Sequence, residues 1–147
     1  GNIGQIIQLA IAPVFLLTGV GTNLTVLTNR LARIIDRSRA LEEIVSTQGA
    51  EGLSPNMRIE LDELYQRSHL INRAITLSST CALLICLVIA ALFLGDALDL
   101  HLDKVVAALF VSGVLALIGS FIYFLREIFV ATKTLRRQRE HGARFLP

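Results

Sequence analysis

Residues 74–95 read AITLSSTCALLICLVIAALFLG and carry no ionisable side chain except the thiols of Cys81 and Cys86. As a helix rising about 1.5 Å per residue, this run is long enough to cross a hydrocarbon core of about 30 Å. It forms the second half of one continuous helix predicted over 54–95, whose first half is charged. Hydrophobic residues make up 53% of the 147, and the mean hydropathy is +0.61. Both values exceed what a soluble domain of this length needs for its core, so the expected class is an all-α membrane protein. The two cysteines, five residues apart, point roughly 140° from each other on a helix and cannot pair within one chain. They read as small apolar packing residues.

Upstream, the chain has no charge before Arg30, and residues 3–28 read as a first span containing Pro13, Gly19 and Gly21. Pro13 is expected to kink it. The lack of a basic start and the length of the apolar run argue for a retained helix rather than a cleaved signal peptide. The Asn23-Leu24-Thr25 glycosylation pattern lies inside that span and is discarded.

After Asn29 the pattern becomes amphipathic. Leu27, Leu31, Ile34, Ser38, Leu41, Val45 and Gln48 alternate at four- and three-residue spacing, a heptad seam. Gly49 and Gly52 break it, Ser54 is a good N-cap, and Pro55 suits the first helical position. Met57, Leu61, Leu64, Ser68, Ile71, Ile75 and Ser78 then repeat the spacing on the way back. Residues 29–73 therefore read as an antiparallel, coiled-coil-like helical hairpin extending the first and second spans. Its charged residues, such as Arg58 with Asp62 and Glu63 with Arg67, sit four apart and read as solvated helix-face pairs.

Gly95 is expected to end the central helix, and the loop over 95–103 leads to a third span over 104–125, uncharged from residue 105. A basic tail, 126–147, should prolong the third helix for a few turns before fraying. Seven Lys and Arg lie in the hairpin, six in the tail and one, Lys104, by the loop. Basic residues accumulate on the cytoplasmic side, which places the N-terminus outside and the C-terminus and hairpin in the cytoplasm. In the tail, Lys133, Arg136, Arg137, Arg139 and Arg144 would meet anionic head groups of the bilayer. That is anchoring and does not point to nucleic acid.

Helices in lipid approach through small residues and hydrogen bonds. Ser78, Ala82, Cys86 and Ala90 form one four-residue ladder, and Ala108, Ser112, Ala116 and Ser120 another. Thr18, Thr22, Thr25 and Asn29 form a polar ladder on the first span. Together with Asn23 it could line a pore in an oligomer, but no member is ionisable, so interhelical packing is the preferred reading. Arg30, Arg73, Arg126 and Glu127 fall at similar depth where the helices leave the membrane. They could bind a lipid head group or a quinone-like edge; snorkelling interfacial anchors are the preferred reading. Asp96, Asp99, His101 and Asp103 could hold a divalent cation, although no glycine-turned ligand loop accompanies them and a loop kept acidic by orientation suffices.

No phosphate-cradling glycine loop, zinc spacing, nucleophile elbow or intramembrane carboxylate is present, so neither an enzyme nor a cofactor is implied. The surplus of packing faces over what three helices can consume points instead to association, as a homo-oligomer or a subunit of a larger membrane complex. A channel or transporter with the first span around its axis is the alternative.

The stretches AIAPVFLLTG, NRLARIIDR, LINRAI and FLREIF, within runs that cover most of the chain, resemble a bacterial membrane family known as domain of unknown function twenty-seven twenty-one. The resemblance implies a three-helix inner-membrane protein with no assigned activity, and it contributes no site residue.

Overall fold

The computed structural model describes residues 3–143, without the side chains of residues 50 and 141–143. Arg144 of the basic tail and the side chain of His141 thus lie outside the described residues. Three helices carry almost the whole chain: α1 (Ile3–Gln48), α2 (Pro55–Ala97) and α3 (Asp103–Ala143), with a single 3-10 turn, η1 (Ala50–Gly52), between the first two. All three are long and apolar enough to cross a membrane, and no strand occurs among the described residues. A band of exposed apolar side chains, including Phe15, Leu83, Leu87, Leu115 and Phe121, surrounds them at span depth, as a lipid-facing surface requires.

The helix ends are set by local chemistry. Gly49 takes a left-handed backbone (φ 75°) and its N–H bonds the Val45 carbonyl at 2.8 Å, closing α1. Ser54 then caps α2 from an extended backbone, its hydroxyl accepting the Met57 N–H at 3.2 Å, with Pro55 at the first helical position. At the other end α2 runs two residues past Gly95. Asp99 adopts φ 54°, and the Leu100 N–H returns to the Gly95 carbonyl at 2.8 Å, a Schellman stop built without glycine at its left-handed position.

α2 runs antiparallel to both neighbours and packs along each of them. α1 and α3, parallel to each other, meet mainly through long side chains. The buried positions recur every seven residues. On α1 they include Ile6, Pro13, Val20, Leu27, Ile34 and Leu41. On α2 two such rows, Leu64-Ile71-Ser78-Ile85 and Ala74-Cys81-Val88-Gly95, serve the two neighbours. On α3 the row is Gly113, Ser120, Glu127 and Thr134, with no large apolar member.

This repeat explains what becomes of the four-residue ladders. A seven-residue step turns about 20° around a helix, whereas each four-residue step turns about 40°, so a ladder of four members fans across roughly 120°. Ser78 is buried and Ala82 half-buried, but Cys86 and Ala90 are exposed; Ala108 and Ser112 are exposed, Ala116 half-buried and Ser120 buried. Close approach is used where α3 carries glycine instead. A Cβ on Gly113 would lie 3.2 Å from Ile85, and one on Gly119 would lie 2.9 Å from Leu77.

The third helix is prolonged past residue 125, as expected, by about five turns. α3 continues to Ala143, so it flanks the α1–α2 hairpin for much of its length.

Candidate functional site

The apolar interior falls into two clusters, one around Val20, Cys81 and Ile85 and one around Leu27, Ile34, Leu41, Leu64 and Ile71. Between them lies a layer of three hydrogen-bonded side chains, one from each helix. Asn23 Nδ2 donates to Ser78 Oγ at 2.7 Å, Ser78 and Ser120 Oγ lie 2.6 Å apart, and Ser120 donates to the Ala74 carbonyl at 2.7 Å. Since Ser120 spends its proton on that carbonyl, Ser78 must be the donor between the two serines. The relay runs one way, from Asn23 to the backbone of α2. No buried side-chain nitrogen or oxygen among the described residues lacks a partner.

One heptad along α3 from Ser120, Glu127 has no solvent exposure. Arg30 of α1 grips its Oε2 with Nε at 2.8 Å and Nη2 at 2.7 Å, while Arg67 of α2 donates Nε to its Oε1 at 2.8 Å. A carboxylate sealed from solvent is tolerated because two guanidiniums replace its water. Arg30 also lies over the Phe124 ring at 5.5 Å.

Beyond this triad, the same three helices border a half-open cavity of about 370 Å³, lined among others by Arg30, Arg33, Arg37, Glu60, Glu63 and Arg67. Arg37 clamps Glu60 through two bonds, at 2.7 and 3.1 Å, and this hydrogen bonding raises the guanidinium pKa further. Glu63 accepts from Thr134 and from Arg137 of α3. Farther out, Glu42 accepts the Tyr65 hydroxyl, which pushes that phenol above its ordinary 10.0.

The expected interfacial layer is therefore divided. Arg30 and Glu127 meet inside it, whereas Arg73 and Arg126 flank the Tyr123 ring at 5.8 and 6.0 Å on the outer side, and Arg73 also hydrogen-bonds the Tyr123 hydroxyl. Glu63 and Arg67, expected to pair along α2, both turn to α3 instead, because the long third helix brings Arg137, Thr134 and Glu127 alongside them.

The polar ladder of α1 is likewise separated from Asn23, which points inward. Thr18, Thr22, Thr25 and Asn29 are exposed, and the three threonine hydroxyls bond back to the carbonyls of Val14, Thr18 and Gly21. At the loop end Asp96, Asp99, His101 and Asp103 border a cavity of about 330 Å³. No group of three or more His, Cys, Asp or Glu among the described residues is placed to hold a metal ion.

In the sequence Arg30 and Glu127 read as interfacial anchors or a head-group site, and nothing there marks Arg33, Arg37 and Glu60. The available signal was the seven-residue interval linking Ser120, Glu127 and Thr134.

No curated protein and no solved structure shows a significant match to the chain. The profile of a family described as a protein of unknown function (DUF2721) matches residues 10–137, a span containing the buried relay, the arginine–glutamate triad and all the residues named around the cavity, and the chain belongs to that family.

Proposed function

We propose that this chain works by association rather than catalysis, as a homo-oligomeric scaffold or an accessory subunit in the bacterial inner membrane. In this reading the N-terminus lies outside, and the hairpin, the cavity and the C-terminus lie in the cytoplasm. The orientation is supported by thirteen basic residues at the hairpin end against one at the loop end.

The observation that carries the reading is the outward face of α1. Thr18, Thr22 and Thr25 are exposed beside Gly19 and Gly21, where an added Cβ would meet nothing within 4 Å. The threonine hydroxyls are already satisfied by their own helix, so the face is small and nearly neutral. Such faces let a second helix approach closely in lipid, where packing and not the hydrophobic effect drives association. A pore lined by this face is the second reading, supported by the same hydroxyl oxygens.

The test is the mass of the assembly released from native membranes by mild extraction, with a census of its polypeptides. Repeated copies of the 16.1 kDa chain, or stoichiometric foreign subunits, are the expected results. Monomers persisting in lipid discs at high protein density overturn the reading. Thr22→Leu with Thr25→Leu separates the two forms of it, since packing loses assembly and a pore loses flux.

A further inference from the structure

We infer that the cavity at the hairpin end binds a phosphate-bearing anion, and that its natural occupant is the head group of an anionic phospholipid. The charge balance is the first ground. Five guanidiniums, of Arg30, Arg33, Arg37, Arg67 and Arg137, stand in or beside the cavity against three carboxylates, of Glu60, Glu63 and Glu127. Arg37 is matched by Glu60 and Arg137 by Glu63, while Arg30 and Arg67 share Glu127. Arg33 makes no ion pair or hydrogen bond among the described residues, although it lines the cavity. Two positive charges are thus left uncompensated around one half-open cavity, which suits a phosphate ester.

Preorganisation is the second ground. Glu127 does not line the cavity, whereas the two arginines it holds do. Its carboxylate fixes both guanidiniums from behind, so an arriving anion meets donors whose positions are already set. Fork-shaped guanidinium donors match phosphate oxygens in geometry as well as charge.

Depth and polarity select the lipid over a free ion. Arg30 lies two residues past the end of the first apolar run, and Arg37 a further seven. That interval covers about 10 Å of axis, comparable to the head-group zone beside a bilayer core. The walls between the charges are apolar, formed by Ile34, Leu64, Ala131 and Leu135, which suits a glycerol backbone better than a hydrated ion. The inference is independent of how the chain associates.

The test uses the full chain in mild detergent, with retained lipid counted by native mass spectrometry after exposure to phosphatidylglycerol or to phosphatidylcholine. Phosphatidylglycerol should be retained preferentially. Arg33→Gln should weaken its retention roughly tenfold, as expected for one lost charge-assisted contact. Arg39→Gln makes the same charge change at an exposed hairpin position outside the cavity and should leave retention unchanged. Competition by millimolar inorganic phosphate would assign the site to a soluble phosphate compound, and its failure to compete would assign it to the lipid. Equal retention of the two lipids, or equal losses from Arg33→Gln and Arg39→Gln, overturns the inference.

Discussion

Two buried polar nodes lie one heptad apart on α3, and they solve the same problem by different means. Ser120 joins Asn23 and Ser78 in a neutral relay, whereas Glu127 joins Arg30 and Arg67 in an ionic one. In the sequence, the first falls within the uncharged runs 3–28, 74–95 and 105–125, and the second falls outside them. In hydrocarbon a charge is costly wherever it is not fully paired, while neutral hydrogen bonds between helices carry modest energies. At the head-group level water and counter-charges are near, and an arginine-clamped carboxylate becomes affordable. One row of α3 thus changes from hydroxyl to carboxylate where the uncharged run of the sequence ends.

The largest expected effect separates the nodes most sharply. Glu127→Leu leaves two guanidiniums facing each other without their shared carboxylate, and should cost about 3–5 kcal/mol in the unfolding free energy measured in detergent. Replacing Arg30, Arg67 and Glu127 together by methionine should cost much less, because no charge is stranded. If the triple variant is as damaged as Glu127→Leu, packing and not charge pairing governs the node.

Asn23→Leu should cost on the order of 1 kcal/mol in the same assay, since Ser78 and Ser120 keep each other and the Ala74 carbonyl. A loss as large as that of Glu127→Leu would erase the contrast between neutral and ionic nodes. Farther along the hairpin the Arg37–Glu60 pair is exposed on one side, the Arg37 side chain being 49% accessible. Glu60→Gln should therefore change stability by less than about 1 kcal/mol, and less still at high salt.

The smallest effect is a pH dependence at Tyr65. Its pKa is raised in the folded chain, first by the hydrogen bond to Glu42. A raised pKa means the folded state holds the proton more tightly, so this contribution is present below the unfolded value of about 10 and lost as pH rises through the folded one. Tyr65→Phe should flatten that part of the alkaline stability profile. An unchanged profile would show that the Glu42 contact contributes nothing measurable.

Legibility in the sequence followed the range of the interaction. Ser54-Pro55 and Gly49 act within a few residues, and their roles as cap and stop could be read directly. Asp99 could not, because a left-handed residue without glycine at that position has weak local signal. The seams of the hairpin were visible as apolar spacing, but the row Gly113, Ser120, Glu127, Thr134 contains nothing apolar and gave no hydrophobic period to follow. Arg67 had a plausible partner four residues away in Glu63. Only the arrival of α3 beside α2 offered it a better one.

By itself the sequence determined that three helices are long and apolar enough to span a membrane, where the hairpin turns, and where basic residues gather, because length, hydropathy and capping are properties of neighbouring residues. The tertiary structure alone decided which polar residues face inward. Asn23 joined the interior while Thr18, Thr22 and Thr25 stayed outside, and Glu127 became the buried partner of two arginines from other helices. The physical reason is that a helix offers polar groups in several directions at once, and only the neighbour that packs against one of them determines which must be satisfied there.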